Sequence, residues 1–162
     1  MEENKKPRIT FLKVLLYISF IGSSWNMFAG LSNALSEPSM ERVEAFEKIF
    51  DQVIEENEES EVMVGMITEY VANLNLNIVN YGAVEFMLYA ISIIGIYLMY
   101  KNRRIGFVVY MIVQILLLGS PMLFGGYSPF SVSITIFYGF ITMIFFALYS
   151  TQLKYMVSDE AI

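Results

Sequence analysis

The chain has 162 residues, of which 56% are hydrophobic, 15% aromatic and only 16% charged, and its mean hydropathy is +0.55. So apolar a composition excludes an ordinary soluble domain and fits a small polytopic membrane protein built as a single domain over 1–162. Without cysteine or histidine there is no disulfide framework, no thiol nucleophile and neither the commonest general base nor the commonest metal ligand, and a formal charge of −6 argues against a nucleic-acid partner.

The first bases are Lys5, Lys6, Arg8 and Lys13, and the run from Val14 to Leu35 then holds no charge. As a helix rising about 1.5 Å per residue, that run crosses roughly 30 Å of hydrocarbon. A cleaved leader is the competing reading, with the four bases as its n-region and Ala34-Leu35-Ser36 as its cleavage site. The run is longer than a usual h-region, so a retained first span is expected over about 14–35. Inside it Ser19, Ser23, Asn26, Gly30 and Asn33 recur at steps of four, three, four and three, which sets small and polar groups on one helical face. Small residues let two backbones approach and an asparagine amide bonds across helices in lipid, so this face reads as a packing seam.

Residues 36–77 form an insert of different character, where eleven acidic residues between Glu37 and Glu69 stand against Arg42 and Lys48. Ser36 or Ser39 can cap a helix whose apolar positions Val43, Phe46, Ile49, Phe50, Val53 and Ile54 follow helical spacing, with the acids on the other face. Asn57-Glu58-Glu59-Ser60 reads as a turn, followed by a second helix with Val62, Met66, Tyr70, Leu74 and Ile78 along one side, running without a breaker into the next span. Two such helices would bury their apolar faces against each other as a hairpin. An acidic face is most simply a solvated one, and Glu44, Glu47, Asp51 and Glu55 are its candidates for docking a basic partner. No calcium-loop spacing occurs.

The second span is expected over about 78–100, and polarity enters it with Asn73, Asn77, Tyr81, Glu85 and Tyr89, one residue every four. Such a stripe cannot face lipid, and Glu85 is the only acidic residue inside any apolar span. Counting from the basic anchors, Asn26 lies roughly 20 Å above Lys13 and Glu85 roughly 24 Å from Lys101, so the seam of Asn26, Gly30 and Asn33 runs level with Tyr81 and Glu85. Two readings follow. In one, Glu85 is protonated or hydrogen-bonded to Asn26 and joins two helices. In the other, it lines a cavity for a proton, a cation or a polar ligand.

Lys101-Asn102-Arg103-Arg104 is a compact basic turn, and the third span, about 105–124, carries Gly106, Tyr110, Gln114 and Pro121 on or near one face, with Gln114 a further intramembrane polar candidate. The uncharged stretch Gly119-Ser120-Pro121-Met122-Leu123-Phe124-Gly125-Gly126-Tyr127-Ser128-Pro129 mixes breakers with aromatics and reads as a loop that suits a membrane interface. The fourth span, about 130–153, sets Ser131, Thr135, Tyr138, Thr142 and Tyr149 near one face. Eight of the ten bases flank one side of this four-span chain, which predicts both termini and the basic turn in the cytoplasm and the acidic hairpin outside. An all-α fold is expected: a four-helix antiparallel transmembrane bundle with an extracytoplasmic amphipathic helical hairpin between spans one and two.

No phosphate-binding, dinucleotide, zinc-protease or nucleophile-elbow motif occurs, every lysine lies in a tail, the insert or a span border, and the eleven methionines follow no metal-binding repeat. Neither catalysis nor a cofactor is expected. Phe11-Leu12-Lys13-Val14-Leu15-Leu16 leading into Phe20-Ile21-Gly22-Ser23-Ser24, with Lys101-Asn102-Arg103-Arg104-Ile105-Gly106-Phe107 and Leu148-Tyr149-Ser150-Thr151-Gln152-Leu153-Lys154-Tyr155-Met156, resembles short four-span bacterial membrane proteins. The resemblance covers the spans but not the insert, and implies a bacterial inner membrane. The expected role is a non-catalytic accessory subunit of a membrane assembly, contacting lipid and other membrane subunits or its own copies. The alternative is a small ion-, proton- or lipid-binding or transport protein centred on Glu85.

Overall fold

A computed structural model describes residues 6–53 and 58–156, with side chains at 10–49, 61–154 and 156. Among the described residues the fold is all helical, with no strand: α1 (Lys6–Ala34), α2 (Met40–Val53), α3 (Glu58–Leu76), α4 (Ile78–Tyr100), α5 (Arg104–Gly125), α6 (Pro129–Ser150) and a closing 3₁₀ turn (Leu153–Tyr155). Four stretches, Thr10–Ala34, Ile78–Tyr100, Arg104–Gly125 and Pro129–Ser150, are long and apolar enough to cross a membrane, the mark of a multi-pass integral membrane protein.

The span bounds fall within a few residues of expectation, and the deviations have local causes. α6 starts where Ser128 Oγ accepts from the Ser131 backbone N–H (3.2 Å) while Ser131 Oγ accepts from the Ser128 N–H (2.9 Å), with Pro129 supplying a first helical residue that has no donor to lose. Ser131 is thus a capping residue rather than part of a polar span face. α6 ends at Ser150, and the chain then folds back so that Arg104 Nε donates to the Met156 carbonyl at 3.1 Å.

The expected unbroken passage from the insert into the second span does not occur. Asn77 leaves helical geometry (φ −103°, ψ 13°), and its side-chain amide donates to the Asn73 carbonyl at 3.0 Å, so local side-chain bonding competes with the helical ladder there.

In the insert, α2 packs on α3, with Val43 and Ile67 buried and Phe46 half-buried. The side chains of Phe50 and Val53, expected on the same apolar face, lie outside the described residues. Asn75, buried near the end of α3, holds the start of α2: its amide donates to the Ser39 carbonyl (3.1 Å) and accepts from the Ser39 N–H (3.2 Å). The apolar side of α3 is shared with the spans, since Tyr70 stacks edge-on against Phe130 (5.3 Å) and presses on Gly125, where a Cβ would run into its ring.

The long helices meet their neighbours in antiparallel register. Ser23 of α1 lies against Ser92 of α4, and Gly30 against Gly82 and Phe86. Gly95 of α4 meets Gly106 of α5, and Phe107 of α5 meets Phe146 of α6. Apolar packing is densest toward the basic turn, where Leu12, Leu15, Leu16, Ile96, Met99, Phe107, Tyr110, Tyr149 and Met156 form one buried cluster.

Candidate functional site

The half of the helices farther from the basic turn is held together by glycine and by polar side chains. A Cβ on Gly30 would lie 2.7 Å from the Phe86 backbone nitrogen and 3.1 Å from Glu85 Cβ, and one on Gly82 would strike the Ala34 nitrogen and come 2.6 Å from the Gly30 carbonyl oxygen. α1 and α4 therefore touch backbone to backbone, an approach only glycine permits, and this contact seats Glu85 beside the first span.

Glu85 is partly buried, and its Oε1 accepts a 2.6 Å hydrogen bond from the Tyr81 hydroxyl one turn away on the same helix. The bond to Asn26 expected from their common level is not formed. Asn26 Nδ2 donates instead to the carbonyl of Gly22 in its own helix at 2.9 Å. Each polar group takes the partner that its helix offers at four residues, and the space between them stays open.

That space is a cavity of about 370 Å³ whose polar wall includes Asn26, Asn33, Tyr81, Glu85, Tyr89 and Gln114. α6 adds Tyr138 and Thr142, while Leu117, Leu118 and Pro121 of α5 supply the apolar side. A second cavity of about 270 Å³ shares Asn26, Tyr89, Gln114, Tyr138 and Thr142 with the first and reaches Ser19, Ser23 and Tyr110. A third, of about 390 Å³, shares Tyr81, Pro121 and Tyr138 and reaches Tyr70 of α3. Together they trace a line from the α3 end of the spans to their middle. Its floor is a hydrogen-bonded layer: Tyr149 donates to Ser19 at 2.8 Å, Tyr110 approaches the same oxygen at 3.5 Å, Ser23 meets Ser92 at 3.2 Å, and Gln114 Nε2 donates to Ser92 at 3.4 Å. Beyond this layer the buried apolar cluster closes the interior.

Five of the seven residues expected in the polar seam, Asn26, Asn33, Tyr81, Glu85 and Gln114, thus share one cavity, and Gly30 lies directly behind it. Asn77 is elsewhere. Its amide and that of Asn73 donate to the Phe124 and Gly125 carbonyls at 3.3 and 3.4 Å, satisfying acceptors that the end of α5 leaves without an intrahelical donor. The upper part of the stripe is a helix-end clamp, and only its lower part lines the cavity.

Of the acidic docking candidates, Glu44 and Glu47 are exposed on α2, whereas Glu55 and the side chain of Asp51 lie outside the described residues. No group of three His, Cys, Asp or Glu that could hold a metal ion occurs among the described residues.

Ser92 and Gly82 are structural partners that the sequence reading does not single out. Ser92 lies seven residues beyond Glu85, two helical turns along the same stripe, and that spacing is signal enough. The meaning of Gly82 emerges only from its pairing with Gly30. Compared with protein-family models, with curated proteins and with solved structures, the chain matches none.

Proposed function

We propose that this membrane protein is a non-catalytic binding protein whose ligand, a cation or a small polar molecule, is held in the cavity around Glu85. The observation that carries the reading is that the lone carboxyl of the four spans faces an interior space instead of being sealed between two helices. An intramembrane carboxylate is costly, and one that serves only to join helices is expected to be packed on all sides. The apolar cluster beneath the hydrogen-bonded floor makes the space a dead end, which favours binding over conduction.

We assign the four spans to an antiparallel bundle in a bacterial inner membrane, both termini and the basic turn cytoplasmic and the α2–α3 hairpin outside, because the bases partition eight to two. In a cysteine-free chain this is tested directly. Glu44→Cys is expected to react with an impermeant thiol reagent in intact spheroplasts, and Lys154→Cys only after permeabilisation. The reverse pattern would invert the assignment.

A second reading, an accessory subunit of a membrane assembly, is favoured by α6. Only 6% of its most apolar stretch is buried in the protein, against 28%, 28% and 33% in the other three spans, so one face is free for lipid or for a neighbouring subunit.

The cavity itself is tested at Leu118, an apolar wall residue. Leu118→Cys is expected to react with a small uncharged water-soluble thiol reagent in the intact membrane, while Leu15→Cys, in the buried cluster, stays unreactive. Equal protection of both would mean that water does not reach Glu85, and the binding reading would fall.

A further inference from the structure

We infer that the Glu85 cavity takes a small organic cation, an ammonium-bearing molecule or lipid head group, rather than a bare metal ion; this rests on the binding reading above. Three features of the wall point the same way. Its only formal charge is the Glu85 carboxyl, with no lysine or arginine on it, which disfavours anions. Three phenols, Tyr81, Tyr89 and Tyr138, line the same space, and aromatic faces beside a carboxylate are the surface that an ammonium group prefers, by charge on one side and ring quadrupole on the other. A metal ion asks instead for several oxygen or nitrogen ligands converging within about 2.0–2.6 Å, and here one carboxylate is joined only by neutral amides and hydroxyls spread around a wide space. The volume of about 370 Å³ is that of a small-molecule pocket and not of an ion cage.

The amides of Asn26, Asn33 and Gln114 add donors and acceptors for a hydroxyl or phosphate ester carried beside the ammonium. Two routes of supply are open to such a ligand. One leads from the α3 end through the cavity that reaches Tyr70, and the other from the bilayer past the thinly packed α6, where Tyr138 is itself exposed.

The test uses the full chain carrying Leu118→Cys, reconstituted in phosphatidylglycerol bilayers, and follows how added compounds slow modification by the uncharged thiol reagent. Ethanolamine or tetramethylammonium is expected to protect in a saturable way, glycerol is not, and Glu85→Gln should raise the concentration required by about tenfold. Should the free amines give no protection while bilayers containing phosphatidylethanolamine do, the ammonium is that of a lipid head group, and the inference stands with that source. Tyr138→Leu, at an exposed ring whose removal does not threaten the fold, should weaken protection as well, and it carries the test if Glu85→Gln fails to assemble. Protection by glycerol equal to that by the amines, or protection undiminished in either variant, would overturn the cation assignment. A reactive cysteine that neither amine nor lipid protects would overturn it too, while leaving the open cavity intact. An unreactive Leu118→Cys would instead remove the binding reading beneath it.

Discussion

Gly82→Val is expected to separate α1 from α4 and to destabilise the protein by about 3 kcal/mol or more, the upper end of what overpacking costs. The first added carbon would already meet the Ala34 nitrogen, the Asn33 carbonyl carbon at 2.7 Å and the Gly30 oxygen at 2.6 Å, all of them backbone atoms that cannot swing aside as a flexible side chain would. Relief requires the two helices to move apart, which also opens the Ser23–Ser92 contact and shifts Glu85 away from the first span. Gly30→Val should behave in the same way. Gly22→Ala and Gly139→Ala are the controls, since a Cβ at either position meets nothing within 4 Å. Replacing a helical glycine by alanine in open space is expected to be neutral or to stabilise by about 0.5–1 kcal/mol. Reversible unfolding in mixed micelles, followed by the fluorescence of Trp25, the only tryptophan, distinguishes the two classes. Loss of stability in Gly22→Ala equal to that in Gly82→Val would mean that close helix approach is not what these glycines serve.

Much of this architecture is legible from residue types alone. Runs such as Val14–Leu35 and Ile78–Tyr100 carry too few charges for a soluble helix, and the second span ends with α4 because Lys101 closes it, whereas the break at Asn77 is not marked by any residue type that the sequence flags as a breaker. The stripe of Tyr81, Glu85 and Tyr89 is equally readable, since helical period and the cost of polarity in lipid together dictate that it faces inward. What could not be read is which partner each polar group takes. Asn26 and Glu85 lie level, yet each bonds within its own helix, because a partner at four residues is available without any tertiary adjustment. Asn73 and Asn77 belong to the stripe by spacing but serve the α5 carbonyls, a pairing set by how the α5–α6 loop folds over the end of α3. The cavity is an emergent feature of the same kind, created between the α1–α4 pair that the Gly30–Gly82 contact joins and the facing sides of α5 and α6.

Substitution of Glu85 has the second large expected effect, and it separates a structural from a functional carboxyl. In Glu85→Gln the amide oxygen can still accept from the Tyr81 hydroxyl, so assembly and unfolding midpoint are expected to stay near those of the parent while ligand binding weakens by about tenfold and any dependent function in cells falls with it. Glu85→Leu leaves the Tyr81 hydroxyl without its acceptor, which costs about 1–3 kcal/mol where water cannot replace it, and abolishes binding as well. If Glu85 only joined helices, Gln would behave as the parent in the cell too. Parental behaviour of Leu in both assembly and growth would leave neither role standing.

The most direct measurement compares two thiol reagents of like size and opposite charge at Leu118→Cys in the intact membrane, their rates normalised to reaction with a free thiol in solution. With Glu85 drawing cations into the cavity, the cationic reagent should react faster than the anionic one by about tenfold, a difference of about 1.4 kcal/mol, and Glu85→Gln should bring the two rates together. The same ratio in the parent and in Glu85→Gln would contradict a cation-binding role for this carboxyl.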